Sequence, residues 1–217
     1  MSSHFPAPDF TDKAAGYREL DAQLGALLAG ERDAIANLAN TSALLYAALP
    51  QLNWAGFYLL HPASQGGADG GSGELVLGPF QGKPACVRIA LGRGVCGTAA
   101  AERRTQLVPD VHAFPGHIAC DAASRSEIVV PLIRAVDGGL IGVLDLDSPI
   151  LGRFDATDQT GLERIATTLV ASLGWRDPRT LDAFAWSAPA LRPDELRRVL
   201  AQIGGDARDS SERSALL

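Results

Sequence analysis

The chain has 217 residues, 47% of them hydrophobic and 20% charged, with a formal net charge of -6. That balance supports a full hydrophobic core. It offers no basic run of the kind that marks a nucleic-acid footprint. No uncharged apolar stretch approaches the roughly 20 residues of a membrane span, and the start MSSHFPAPDFTDK lacks the basic-then-apolar order of a secretory leader. The expectation is a soluble, cytoplasmic protein with neither nucleic acid nor membrane among its partners.

In chain order, apolar residues recur at helical spacing from Asp12 to Ala29 (Leu20, Leu24, Leu27, Leu28). After Gly30 the spacing resumes from Glu31 to Leu49, where Pro50 stops it, so two helices are predicted in succession. NWAGFYLL (53–60) is short and aromatic-rich, a strand; the turn formers of PASQGGADGGSG lead to its partner ELVLGPF (74–80). PACVRIA (84–90) alternates and predicts a third strand carrying Cys86, and a Gly-rich entry opens a helix from Val95 to Arg103 with Cys96 near its start. Gln106 to Val108 is a short extended piece, and 109–124 is a long loop containing Cys120; loops of that length in compact domains are usually functional or disordered. SEIVVPLIR and LIGVLDLD form two strands around an Asp137-Gly138-Gly139 turn, and Asp155 to Leu173 is an amphipathic helix. Beyond Trp175 prolines punctuate the chain: a short helix is predicted from Pro193 to Ile203, followed by a polar, disordered end. This order describes an α+β domain (1–175), a mostly antiparallel sheet of six strands with helices packed on one face, followed by a C-terminal extension (176–217) without an assigned role.

All three cysteines, Cys86, Cys96 and Cys120, fall in one short window. An odd count argues against a structural disulfide framework and leaves three readings. They can be core packing residues. They can bind zinc, with Cys96, Cys120, His112 and His117, although the spacing lacks the close cysteine pairs of structural zinc sites. They can do redox chemistry, with the dipole and amides of the helix start favouring a Cys96 thiolate and Cys120 among polar groups in its loop.

Asp145 and Asp147 lie two apart on a strand and project from one face; Glu127 starts the neighbouring strand. They can simply face solvent. If they converge instead, their repulsion raises at least one pKa and leaves a proton donor and a seat for an ammonium group. Trp54 and Tyr58 sit where strand aromatics are usually core, but Trp54 follows a turn and could wall a pocket.

Taken together, NWAGFYLL, LGPFQGKPACVRIALGRGVCGTAA, VPDVHAFPGHIACDAASRSEIVVPLI and GVLDLDSP resemble the free methionine-(R)-sulfoxide reductases, single-domain proteins of GAF fold. The similarity runs from about Phe10 to Trp175. It implies Cys120 as nucleophile, Cys96 as the usual resolving cysteine and Cys86 as a third cysteine that joins the disulfide in some members. It further implies Glu127, Asp145 and Asp147 as the carboxylates that bind substrate and protonate the sulfoxide oxygen, with Trp54 packing on the substrate methyl; Tyr58 is a further substrate-binding candidate. Free methionine sulfoxide and thioredoxin, or a similar dithiol reductant, are then the partners; no metal or organic cofactor is needed. A homodimer is compatible with this, the extension after Trp175 being able to cover a dimer surface. The rival is a non-catalytic GAF module that senses a small molecule, which has no use for three cysteines placed this way.

Overall fold

Among the described residues, three of the four α-helices begin at an aspartate. The Asp12 carboxylate accepts from the Ala15 amide ahead of α1 (Lys13–Leu27), and Asp33 accepts from Ala36 ahead of α2 (Ala34–Ala48). Asp155 and Asp158 form a reciprocal capping box at the start of α4 (Ala156–Ser172). Such caps satisfy amides that the helix itself leaves open. The computed structural model describes residues 6–61, 73–118 and 121–173. The predicted turn segment after His61, Cys120, and the C-terminal extension with the helix predicted from Pro193 to Ile203 lie outside the described residues.

The strands are β1 (Trp54–His61), β2 (Glu74–Gly82), β3 (Arg88–Ala90), β4 (Gln106–Val108), β5 (Ser126–Ile133) and β6 (Leu140–Ser148). They form one antiparallel sheet in the order β3-β2-β1-β6-β5-β4. Alternation divides each strand between two apolar layers. Phe57, Leu144, Leu146 and Ile128 are fully buried on the side of α2 and α4, where α2 packs on β1 and β2 and α4 on β5. α1 packs mainly on α4, its Tyr17 ring lying where a side chain at Gly161 would have to go.

α3 (Gly94–Glu102) differs from the expectation of helices on one face: it packs against β3, β4, β5 and β6 on the other side of the sheet. Its Val95, Cys96, Ala99 and Ala100 share a core with Trp54, Tyr58, Val129 and Val143. A sheet buried on both faces needs this second cover, because β1 alone has five consecutive buried residues.

β3 is shorter than its alternating sequence predicts. Ladder pairing runs only from Val76–Arg88 to Glu74–Ala90, with one further bond from the Leu77 amide to the Val87 carbonyl. Pro79 and Pro84 have no amide hydrogen to extend it. Cys86 therefore lies in the β2–β3 connection and not on a strand, partly buried against the α3-side core. No helix among the described residues is long and apolar enough to cross a membrane.

Candidate active site

The register of the central strands gathers the acids. Trp54 pairs with Asp147 and Gly56 with Asp145 between β1 and β6, and Glu127 of β5 pairs with Asp147 from the other side. All three carboxyl groups thus emerge on the α3 face. They line one cavity together with Trp54, Tyr58, Cys96 and His117. Glu127 and Asp145 are only 6% and 5% exposed, which overturns the reading of these acids as a solvent-facing stripe; Asp147 is partly buried.

Burial, with no lysine or arginine among the described residues paired to these acids, sets the protonation of the group. Desolvation pushes the Asp145 carboxyl up to about 7. Desolvation, then the charge of Asp145, raises Glu127 and Asp147 well above the usual carboxylate range. Glu127 and Asp147 are thereby biased toward keeping protons that exposed carboxylates would have lost, while Asp145, near 7, is divided between its two forms at neutrality.

Cys96, third residue of α3, reaches this cluster because the helix closes tightly on β3: the Ala90 carbonyl occupies the place of any side chain at Gly97. Its Sγ lies 3.9 Å from Glu127 Oε1. Position near the helix start predicts a stabilised thiolate, and here the opposite holds. Full burial, then the charges of Asp145 and Glu127, raises the thiol well above its ordinary value; the dipole of a nine-residue helix does not offset two adjacent carboxylates. Cys96 carries a free thiol, whereas Cys86 is disulfide-bonded.

Trp54 forms one wall. Its indole Nε1 donates to the Lys83 carbonyl at 3.2 Å, and its ring stacks with those of Tyr58 and Phe80 at 5.9 and 5.4 Å. Across the cavity the segment after Cys120 is tied to the sheet: Asn53 Nδ2 donates to Asp121 Oδ2 at 3.2 Å and to Ser124 Oγ at 2.9 Å, and Lys83 pairs with Asp121 at 3.3 Å. Cys120 itself lies outside the described residues.

Sequence reasoning gave no substrate role to His117, Arg93, Asp121 or Ser124, all of which line the cavity. His117 Nε2 approaches Glu127 Oε2 at 3.9 Å. Desolvation and the nearby His112 hold this imidazole below the usual histidine range, and Glu127 retains its proton, so two neutral groups meet rather than an ion pair. The one available signal was position, since His117 and Asp121 flank Cys120 within five residues of the loop.

A family model for the GAF domain matches residues 26–173. Free methionine-R-sulfoxide reductase of Escherichia coli is 52% identical over 166 residues, covering 76% of this chain and 93% of that protein. This chain belongs to the free methionine-R-sulfoxide reductase family of GAF-domain proteins. Protein YtsP of Bacillus subtilis is 56% identical over 162 residues, 75% of this chain and 93% of the relative. Among solved structures, the X-ray structure of free methionine-R-sulfoxide reductase from Neisseria meningitidis in complex with its substrate superposes with a TM-score of 0.69. It is 50% identical and covers 79% of this chain and 95% of that one. The family is one of oxidoreductases, and its fold is the six-stranded antiparallel sheet with four helices described above.

Proposed function

We propose that the protein reduces free L-methionine-(R)-sulfoxide to L-methionine, with Cys120 as nucleophile. The observation that carries this reading is the placing of Glu127, Asp145 and Asp147 with Trp54 and Tyr58 around one cavity. A sulfoxide resists attack at sulfur until its oxygen is protonated. Carboxyl groups that keep protons at neutral pH supply that acid, and an ionised neighbour seats the substrate ammonium. The Trp54 face suits the methyl group.

In the reaction the Cys120 sulfur attacks the protonated sulfoxide sulfur, the oxygen passes to Cys120 as a sulfenic acid, and methionine leaves with two more electrons. A second thiol then displaces water from the sulfenic acid and forms a disulfide, which thioredoxin or a similar dithiol reopens by exchange. The bonded state of Cys86 beside the free, buried thiol of Cys96 favours Cys86 as this second thiol. The family's usual choice, Cys96, has its thiol raised by the same carboxyl groups and is the poorer nucleophile near neutrality.

Methionine release should be measured from free methionine-R-sulfoxide, its S epimer and the N-acetylated R form, with one dithiol reductant. Losing a charge-assisted hydrogen bond at the ammonium costs about 1.5–3 kcal/mol, so the acetylated substrate should react at least about tenfold more slowly, and the S epimer little. Cys120→Ser should abolish release from all three. Equal rates on the acetylated substrate would overturn the ammonium-reading pocket.

A further inference from the structure

We propose that the same cavity binds one thiophilic divalent cation of the zinc class, with Cys96, Glu127 and Asp145 as its protein ligands. Each of these side chains offers one ligand atom, and the three atoms all lie within 4.8 Å of one another. Zinc holds thiolate sulfur at about 2.3 Å and carboxylate oxygen at about 2.0–2.2 Å. Ligand atoms on a tetrahedral ion are consequently separated by roughly 3.3–3.7 Å. The separation of 3.9 Å between Cys96 Sγ and Glu127 Oε1 needs only a small rotamer adjustment to meet that.

A second observation points to a missing cation. Asp145 Oδ1 is buried on a side chain 5% exposed, lines the cavity, and has no hydrogen-bond partner among the described residues. A desolvated carboxylate oxygen without a donor is unfavourable, and a metal ion satisfies it. No lysine or arginine among the described residues pairs with Asp145 or Glu127; the one recorded approach to them by a basic side chain is that of uncharged His117.

Three protein ligands leave a fourth place toward the open side of the cavity for solvent, the pattern of zinc sites with an exchangeable position. Binding breaks the S–H bond of Cys96 and any O–H bond on the two carboxyl groups, forms one S–metal and two O–metal bonds, and releases the protons to solvent. No electrons move. This set differs from the cysteine and histidine set that the sequence suggests, since it draws on one cysteine and on β5 and β6. On the reductase reading the ion would also occupy the acid and the ammonium seat and so compete with substrate; that consequence rests on the reading, whereas the binding does not.

The test uses the full chain carrying Cys86→Ser and Cys120→Ser, in which Cys96 is the remaining thiol, titrated with Co2+ alone. The expected result is a thiolate-to-cobalt charge-transfer band in the near ultraviolet that saturates at one ion per chain and disappears on adding Zn2+. Adding Cys96→Ser, or Cys96→Ala where serine disturbs the far-ultraviolet circular dichroism, should abolish the band. Asp145→Asn or Glu127→Gln should weaken binding about 10- to 100-fold or more, the loss that even an outer-sphere partner brings. Absence of the band in the folded protein, its survival without Cys96, or unchanged affinity in both carboxamide variants would overturn the site. None of these readouts depends on turnover, so the site and the reductase reading can fail separately.

Discussion

Glu127 approaches Cys96 and His117, each at 3.9 Å, and pairs in register with Asp147 of β6. If Glu127 is the acid of the proposed reaction, Glu127→Gln preserves shape but removes the carboxylic proton, and general-acid roles contribute roughly 100- to 10,000-fold. The variant should therefore lose that much in single-turnover methionine formation with its circular dichroism unchanged; a loss below about threefold would move the acid to Asp145 or Asp147. The alternation of LIGVLDLD already placed Asp145 and Asp147 on one face. It did not say whether that face was wet or dry, since a half-buried and a doubly covered strand share the pattern. The environment of Cys96 was illegible for a similar reason: its perturbing carboxylates arrive from strands 31 or more residues away.

The helices show the same division between local and distant information. Asp155 and Asp158 read locally as a helix start, and they form one. The sequence gives no hint that Asp158, fully buried, also accepts from Lys13 Nζ at 2.5 Å, Tyr17 Oη at 2.9 Å and Arg153 at 3.2 Å. This hub joins α1 to α4 across more than 140 residues of chain. Arg153 is itself nearly buried, at 6% exposure of its side chain. Asp158→Ala would strand that charge, and breaking a buried pair typically costs about 3–5 kcal/mol. Urea unfolding should show a loss of that size, with the denaturant slope retained. Alternation overstates the length of β3 because it reports faces, whereas the length of a ladder depends on amide donors that Pro79 and Pro84 lack.

For the molecule as a whole, the acids of the cavity and Asp155 of the α4 cap respond to pH in opposite senses. Asp145 ionises near 7 when folded and near 3.8 when not. Between those values the folded state holds the proton that the unfolded state has released, so stability falls as pH rises through the window. Glu127 and Asp147 shift in the same direction. Asp155, held down to about 2 mainly by Lys13, does the reverse: its contribution is complete above 3.8 and is lost as pH falls toward 2. It is half exposed, so solvent screening keeps it small. The melting temperature should thus decline between about pH 5 and 8. Asp145→Asn should flatten that decline by several degrees, at about 2–4 °C per kcal/mol for a chain of this size. An unchanged slope would mean that Asp145 titrates normally in the folded protein.

The sheet ends in two three-residue strands, β3 and β4, and among the described residues each leaves part of a longer neighbour without a ladder partner. On β2 that uncovered run includes Pro79, whose carbonyl accepts the Ser42 hydroxyl at 3.1 Å. On β5 it begins at Val130 and includes Pro131. A proline offers no amide to an incoming strand, so the two rims where another chain could add itself are interrupted. Edges of this kind are how natural sheets resist edge-to-edge aggregation, and here a fold that gathers Cys96 and its acids on one face also carries proline interruptions along its margins.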